Sequence, residues 1–488
     1  MALHLFCAVA AAATSSPVVL RMRSAPVTMT ASSSARDAAQ ALGTWIEERG
    51  GSTSNVVAGP TPHGLGLHAT EALAPGDVAV SIPSTCVIST QALDTAPTSL
   101  QSLCAAVPDE FWAGRLALVL LAERAKGDDA AMAGYVRTLP AMFTVPLFWS
   151  PDAIKQLQYP PAQASLLKTA KFVGAFGTDT LGAAPADAFS GQAVDVDAFG
   201  WAVAACSTRG LQLGDGARVL CPLIDLANHA NHGTANCEVC ADADGTIHLK
   251  VLKPVGLGEE LTYSYGALSN DALLLAYGFV QPSNPFDDLL LAWADGALLT
   301  NACGVAGLNG GAVAELAEWQ RAALRATLPP DAVAYIRITR SGVDELGMAA
   351  CRIAAAPDEA ALRQADGGRK PLPSASEVRA LKIAAAMCAV ALTGLPEELE
   401  AGAAESAGDG RGDDGVALAR RFLAEKGALC SAALATVGDR VKGLQQGETR
   451  ATMRGHAKPK QAKGVRKQSA RKGGAAAKRP KASGFGAK

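Results

Sequence analysis

The stretch Leu223–Gly233, LIDLANHANHG, constrains this chain most. Its first half reads as a buried strand or turn, yet it carries Asp225, Asn228, His229 and His232. Burying such groups costs roughly 1–3 kcal/mol each unless every one finds a partner. The fold must therefore answer this cluster with a metal, a ligand or its own side chains. A metal needs His229 and His232 to converge with Asp225, but Gly233 and the neighbouring Asn and Ala residues suggest a turn rather than one helix face. Taken alone, the stretch reads equally well as a hydrogen-bonded polar turn.

At 488 residues the chain is too long for one ordinary core. With 49% hydrophobic and 18% charged residues its composition is globular rather than disordered. No run of about 18 apolar residues exists, so no transmembrane helix and no integral membrane association is expected. Glycine-punctuated, β-rich runs fill HGLGLHATEALAPGDVAVSIPSTCVIST and return from Arg218 to Tyr265. Between them, from about 108 to 200, the pattern is helical, and FWAGRLALVLLAERAKG is its clearest amphipathic segment. A helix that stops at Gly50-Gly51 precedes the strands, and SNDALLLAYG, with Ser269 as N-cap and Gly278 as stop, follows them. Beyond about Asp295 the reading is nearly all helix, interrupted at ADGGRKPLP and AGAAESAGDGRGDDG.

The two ends differ from the body. Residues 1–36 contain no acidic residue and join a short apolar run to a Ser-, Ala- and Arg-containing stretch, as a signal core followed by a transit peptide would; a disordered extension is the alternative. A plastid is the expected location, with the nucleus or cytoplasm as alternatives. Residues 450–488 hold 13 Lys or Arg and no acid, so the rest of the chain carries about −15. This tail, placed at 446–488, lacks an apolar period and is expected to be disordered. It could bind nucleic acid through phosphates, although Phe485 is its lone aromatic. The scattered cysteines suit free thiols in a reducing compartment. Cys237 and Cys240 form one C-x-x-C without a second pair, so no metal is expected.

Two further pieces carry chemistry. Gly64 and Gly66 bracket a G-x-G that lets backbone approach a ligand, or that makes only a tight turn. In GEELTYSYGALSNDALLLAYGFV, Leu261, Tyr263 and Tyr265 share one strand face, which is either a core surface or an aromatic wall; the following helix returns Tyr277 and Phe279 to the same end.

The order of these pieces resembles the SET-domain methyltransferases: G-x-G, then Arg209 in STRGL, then D-x-x-N-H, then G-E-E-x-x-x-x-Y-G with S-N-D and Y-G-F. It is most similar to the branch that includes the plant Rubisco large-subunit lysine methyltransferase, which TLPAMFTVPLFWS also resembles. The resemblance implies an α+β fold: a β-rich SET domain over 37–300 with a helical insertion at about 108–200, an all-helical substrate-binding-like lobe over 301–445, and the disordered basic tail. It implies S-adenosyl-L-methionine as cofactor and transfer of a methyl group to a lysine of a non-histone protein substrate, by a monomer. Gly64 and Gly66 would pass their backbone beside the cofactor, and Arg209 would meet its carboxylate. Asn228 and His229 would hold its amino-acid and adenine parts, and Tyr277 and Phe279 would close the pocket. Tyr265 would be the catalytic tyrosine at the point of transfer, with Tyr263 on the substrate side and Asp225 supporting the substrate side or the local fold. Two positions depart from the family pattern: Leu65 replaces its usual basic residue, and Leu211 an aromatic. A histidine target, or a silent SET scaffold that works through its basic tail, are the alternatives.

Overall fold

The computed structural model describes residues 33–214, 216–231, 233–293, 297–307, 316–327, 335–396 and 414–455. The expected targeting segment up to residue 32, His232, most of the AGAAESAGDGRGDDG linker and the basic tail beyond residue 455 lie outside the described residues.

A seven-stranded sheet joins the two β-rich regions. Its order is Val56–Thr61, Gly64–Ala69, Glu260–Tyr263, Cys237–Ala241, Ile247–Val251 and Val78–Ile82, with the short strand Asn228–His229 also paired to Glu260–Tyr263. Alternation explains the inward face: Leu67 and Ala69, then Ile247, Leu249 and Val251, are buried while their neighbours are less so. The pairing of Leu261 with Leu67 brings the late tyrosine segment against the early glycine hairpin. Asn228–His229 runs parallel beside it, with Thr262 opposite Asn228 and Tyr263 opposite His229. Three segments remote in sequence thus meet at one place.

Helices fill the interval between the strands. Trp112–Ala125 is not amphipathic as its sequence suggests: Leu116, Ala117, Leu118, Leu120 and Leu121 are buried on successive faces. A helix that is hydrophobic all round belongs inside the core, and this one packs against Val196–Arg209. Asp195 caps the latter helix, its Oδ1 accepting from Ala198 N at 2.7 Å. The segment after Ser269 starts as expected, but only Asn270–Ala272 is α-helical; Leu273–Tyr277 winds as a π-helix before Gly278 ends it at φ +77°.

A second apolar core belongs to the C-terminal lobe, where Ser374–Thr393 packs along the long helix Asp414–Gly455. That helix continues past the expected start of the tail at residue 446. Gln445, Gln446 and Glu448 are all good helix formers. The lobe also carries a small antiparallel sheet, Leu289–Ala292 with Tyr335–Thr339 and Gly342–Val343, in which Ile336 and Ile338 point inward. Trp149, Leu157 and Tyr159 of the helical insertion join this second core, so the insertion touches both.

Candidate active site

The glycine hairpin and the Asn-His strand are locked through one amide. Asn228 Nδ2 donates to Glu260 Oε1 at 2.7 Å and to Thr61 Oγ1 at 3.2 Å. These atoms occupy the space beside Gly66, where an added Cβ would lie 2.5 Å from Thr61 Cγ2, 2.8 Å from Asn228 Nδ2 and 2.9 Å from Glu260 Oε1. Gly66 therefore makes room for the chain's own side chains on its Cβ side. Gly64 differs: it holds φ +109°, and a Cβ there would meet nothing within 4 Å, so its backbone remains approachable.

The aromatic residues form one continuous row. Ring centroids lie 4.9 Å apart for Tyr263 and Tyr265, 4.9 Å for Tyr265 and Tyr277, and 6.2 Å for Tyr277 and Phe279. His229 stands beside it, 5.1 Å from Tyr265 and 6.1 Å from Phe279. Tyr265 N donates to His229 Nδ1 at 3.1 Å, which leaves the imidazole proton on Nε2. Tyr265 OH donates to Ala227 O at 3.0 Å, so the phenol oxygen keeps its lone pairs for another donor. Burial pushes the phenols of Tyr263, Tyr265 and Tyr277 above their ordinary value. Burial lowers the His229 imidazole, and the side chain of Gln281 works in the opposite direction. The wall is thus uncharged at neutral pH.

Arg209 and Asp225 lie behind this row. Arg209 Nη1 contacts Asp225 Oδ2 at 3.2 Å, and Tyr135 OH donates to the same oxygen at 2.7 Å. The Asp225 side chain is 1% exposed, so of its two expected places, substrate side or local fold, it takes the second. Burial raises its carboxyl, with Arg209 and Tyr135 opposing. Arg209 Nη1 is tied to Asp225, while Arg209 Nε has no hydrogen-bond partner among the described residues. Leu223, which opens this segment, is buried at φ +65°, a strained conformation that the surrounding core must enforce.

Among the described residues, the buried side-chain atoms without a well-formed hydrogen bond include two beside this row: Arg209 Nε, a donor, and Gln281 Oε1, an acceptor next to His229. A cavity of about 480 Å³ opens on the other side of the tyrosines, lined among others by Trp112, Arg218, Glu238, Tyr263, Tyr265 and Tyr277. A larger depression of about 590 Å³ lies elsewhere, on the helical insertion around Arg124, Arg137 and Trp201, and none of the site residues lines it. Among the described residues no group of three or more His, Cys, Asp or Glu side chains could hold a metal ion.

The structure therefore brings Asn228, His229, Tyr263, Tyr265, Tyr277 and Phe279 together, sets Arg209 with Asp225 behind them, and joins Gly66 through Asn228. Sequence reasoning missed Tyr135, Glu260, Gln281 and the Trp112–Arg218 pair, whose guanidinium stacks 4.0 Å from the indole. Glu260 stood inside the quoted GEEL stretch; the others carried no local signal.

Residues 64–266 match the SET domain family. The chain is similar to the ribosomal lysine N-methyltransferase set10 of Schizosaccharomyces pombe, with 27% identity over 187 residues, covering 36% of this chain and 33% of that protein. It is also similar to SET domain-containing protein 4 of Mus musculus, at 27% identity over 49% of this chain and 58% of that one. The actin-histidine N-methyltransferase of Danio rerio is 29% identical over 35% of this chain and 30% of its own length. The chain thus spans between about a third and three fifths of these curated relatives. Among solved structures, Rubisco LSMT bound to AdoMet superposes with a TM-score of 0.59 at 20% identity, over 87% of this chain and 97% of that one, a likeness of fold. With the strands, the Asn-His pair and the late tyrosines arranged as described, residues 64–266 match the SET domain family and the fold is like that of Rubisco LSMT.

Proposed function

We propose that this chain is a protein-lysine N-methyltransferase that uses S-adenosylmethionine. The observation that carries the reading is the uncharged aromatic row, with Tyr265 at its centre, set between the Asn-His strand and an open cavity. Gly64 backbone, Arg209 Nε, His229 and Gln281 Oε1 would hold the cofactor, and Asn228 would fix the strand that carries His229. Bound there, the cofactor supplies a methyl group on a sulfonium centre. The relatives in fission yeast and zebrafish are named for lysine and histidine methylation, and the fold neighbour for binding AdoMet.

The chain's own residues account for the rest. A lysine amine of ordinary pKa near 10.4 lies about 4–5 kcal/mol from its neutral form at neutral pH. The tyrosine wall favours the neutral form by removing water without offering a negative charge. No tyrosine here can act as a base, because burial keeps each phenol protonated. Tyr265 instead orients the amine: its hydroxyl hydrogen is fixed on Ala227 O, so its lone pairs face the incoming N–H. Neutral His229 adds no positive charge beside a cationic donor.

Incubation of the full chain with labelled S-adenosylmethionine and fractionated extract tests this reading. Mass spectrometry of the labelled product should find methyl on a lysine. Methyl on histidine would support the alternative that the zebrafish relative suggests, and no label in any fraction would favour the silent scaffold. A plastid location belongs to the same proposal, and a fluorescent fusion to residues 1–36 that stayed outside plastids would refute it. Binding of nucleic acid by the tail would appear as salt-sensitive retention that is lost when residues 450–488 are removed.

A further inference from the structure

Lys426 stands on the long helix of the C-terminal lobe with its side chain 0% exposed. Its ammonium reaches the 270–288 segment, whose Leu274 and Val280 pack into the same apolar core. It donates to Asp271 Oδ2, to Asp287 Oδ1 at 2.8 Å and to Asp288 O. The rings of Phe422 and Tyr159 cover it, with centroids 4.9 and 5.5 Å from Nζ. A buried ammonium is tolerated only when it is paired and fully hydrogen-bonded, and here each proton has an oxygen.

Asp287 passes the contact on. Its Oδ1 also accepts from Asn270 N at 2.9 Å, and its Oδ2 from Asn270 Nδ2 at 3.1 Å. Asn270, itself wholly buried, clamps the far end of the same loop: Nδ2 donates to Gln281 O at 3.1 Å, and Asn270 Oδ1 accepts from Gln281 N at 3.0 Å. Tyr277 and Phe279 lie between these two clamped points. An unbroken set of hydrogen bonds therefore runs from the C-terminal lobe, through Asp287 and Asn270, to Gln281 beside His229.

We propose that Lys426 is a positioning residue of the pocket: from the C-terminal lobe it fixes the loop that carries Tyr277, Phe279 and Gln281. The proposal rests on the methyltransferase reading for what the loop binds, but not for how the loop is held. The C-terminal lobe is then part of the pocket's construction as well as a surface for a substrate.

The test uses the full chain and the charge-balanced double variant Lys426→Met/Asp271→Asn. Backbone hydrogen exchange reports the loop, and calorimetry with S-adenosylhomocysteine reports the pocket. The double variant should lose protection across residues 270–281, keep it in Ser374–Thr393, and bind about tenfold more weakly, in the range expected of a coupling network. Asp271→Asn alone leaves the Lys426–Asp287–Asn270 chain in place and should behave as wild type in both measurements. If the double variant does not fold, Asp287→Asn breaks the same chain at its middle with an isosteric side chain and should loosen the same loop. Wild-type protection of residues 270–281, or wild-type affinity, in the folded variant would overturn the proposal. If the wild-type chain itself binds no S-adenosylhomocysteine, the donor reading falls, and exchange alone decides whether Lys426 positions the loop.

Discussion

The Arg209–Asp225 pair and the Lys426 cluster are both largely buried, yet they join different things. Arg209 and Asp225 lie 16 residues apart within one core, and Tyr135 completes them with a neutral hydrogen bond. Lys426 lies 155 residues from Asp271 and fastens the long C-terminal helix to the segment that carries Asp271, Asp287 and Asp288. The first cluster is balanced, with one guanidinium for one carboxylate. The second sets one ammonium against Asp271 and Asp287, and burial pushes the Asp271 carboxyl up to about 6. The comparison teaches that the molecule holds its pocket from within by a balanced pair and from outside by an unbalanced one.

Removing the cation or the anion should show that asymmetry most strongly. Lys426→Met leaves two carboxylates buried and facing each other, while Asp225→Ala leaves one guanidinium that still has 14% exposure. Breaking a buried pair costs about 3–5 kcal/mol. Urea unfolding should place Lys426→Met at the upper end and Asp225→Ala at the lower. A larger loss for Asp225→Ala would mean that the pair inside the SET core, not the joint between lobes, is the more strained.

The same imbalance predicts a pH effect. The Asp271 carboxyl in the folded chain sits above its ordinary 3.8, at about 6, with burial as the main cause. The folded state then holds a proton that the unfolded state has released, so this group's contribution is most favourable below about pH 4 and is lost as pH rises towards about 6. A shift of that size corresponds to about 3 kcal/mol at most. Asp271→Asn should remove the decline, and the difference in unfolding free energy between wild type and variant should grow in the variant's favour across that window. A difference that is flat with pH would show that Lys426 neutralises both acids, and the contrast with Arg209–Asp225 would disappear.

Gly66→Ala probes how tightly the balanced side is built. The new methyl group would crowd Thr61, Asn228 and Glu260 at 2.5–2.9 Å, and overpacking of this kind costs about 1–3 kcal/mol. Thermal unfolding should show the loss. Unchanged stability would mean that the Asn228 amide can swing away from Glu260 freely, and that the pocket's inner side is less rigid than its hydrogen bonds suggest.

What the sequence made legible follows the same division. Asn228, His229, Tyr263, Tyr265, Tyr277 and Phe279 were readable because each sits in a short motif whose order is distinctive, and the sheet then paired those motifs directly. Asp225 was legible but its choice between substrate side and local fold was not, since its partner Tyr135 is 90 residues earlier and carries no local signal. Lys426 was invisible for a stronger reason. On its helix it reads as one more solvent-facing lysine in ARRFLAEKGALC, and only the rings of Tyr159 and Phe422 and the acidic segment packed over it reveal that no water reaches it. The Tyr335–Thr339 strand was lost inside an otherwise helical pattern because its alternation spans only a few residues. The Trp112–Ala125 helix was called amphipathic because a helix buried on every side still has Arg115, Glu123 and Arg124 to suggest a polar face.

Tyr265→Phe makes the smallest change and bears most directly on chemistry. It deletes one oxygen and keeps the ring contacts with His229, Tyr263 and Tyr277. The loss of a single orienting hydrogen bond is worth about 1–1.5 kcal/mol, or about tenfold in turnover. Single-turnover methylation should slow by that factor while calorimetric affinity for the donor stays unchanged, because neither Arg209 Nε nor Gln281 Oε1 depends on the phenol. Two results would redraw the comparison between inner and outer supports. Equal losses in rate and donor affinity would mean that the hydroxyl's bond to Ala227 O braces the Asn-His strand, which would make Tyr265 one more inner support. An unchanged rate would leave alignment of the amine to the ring walls alone, and so to the loop that Lys426 holds from the other lobe.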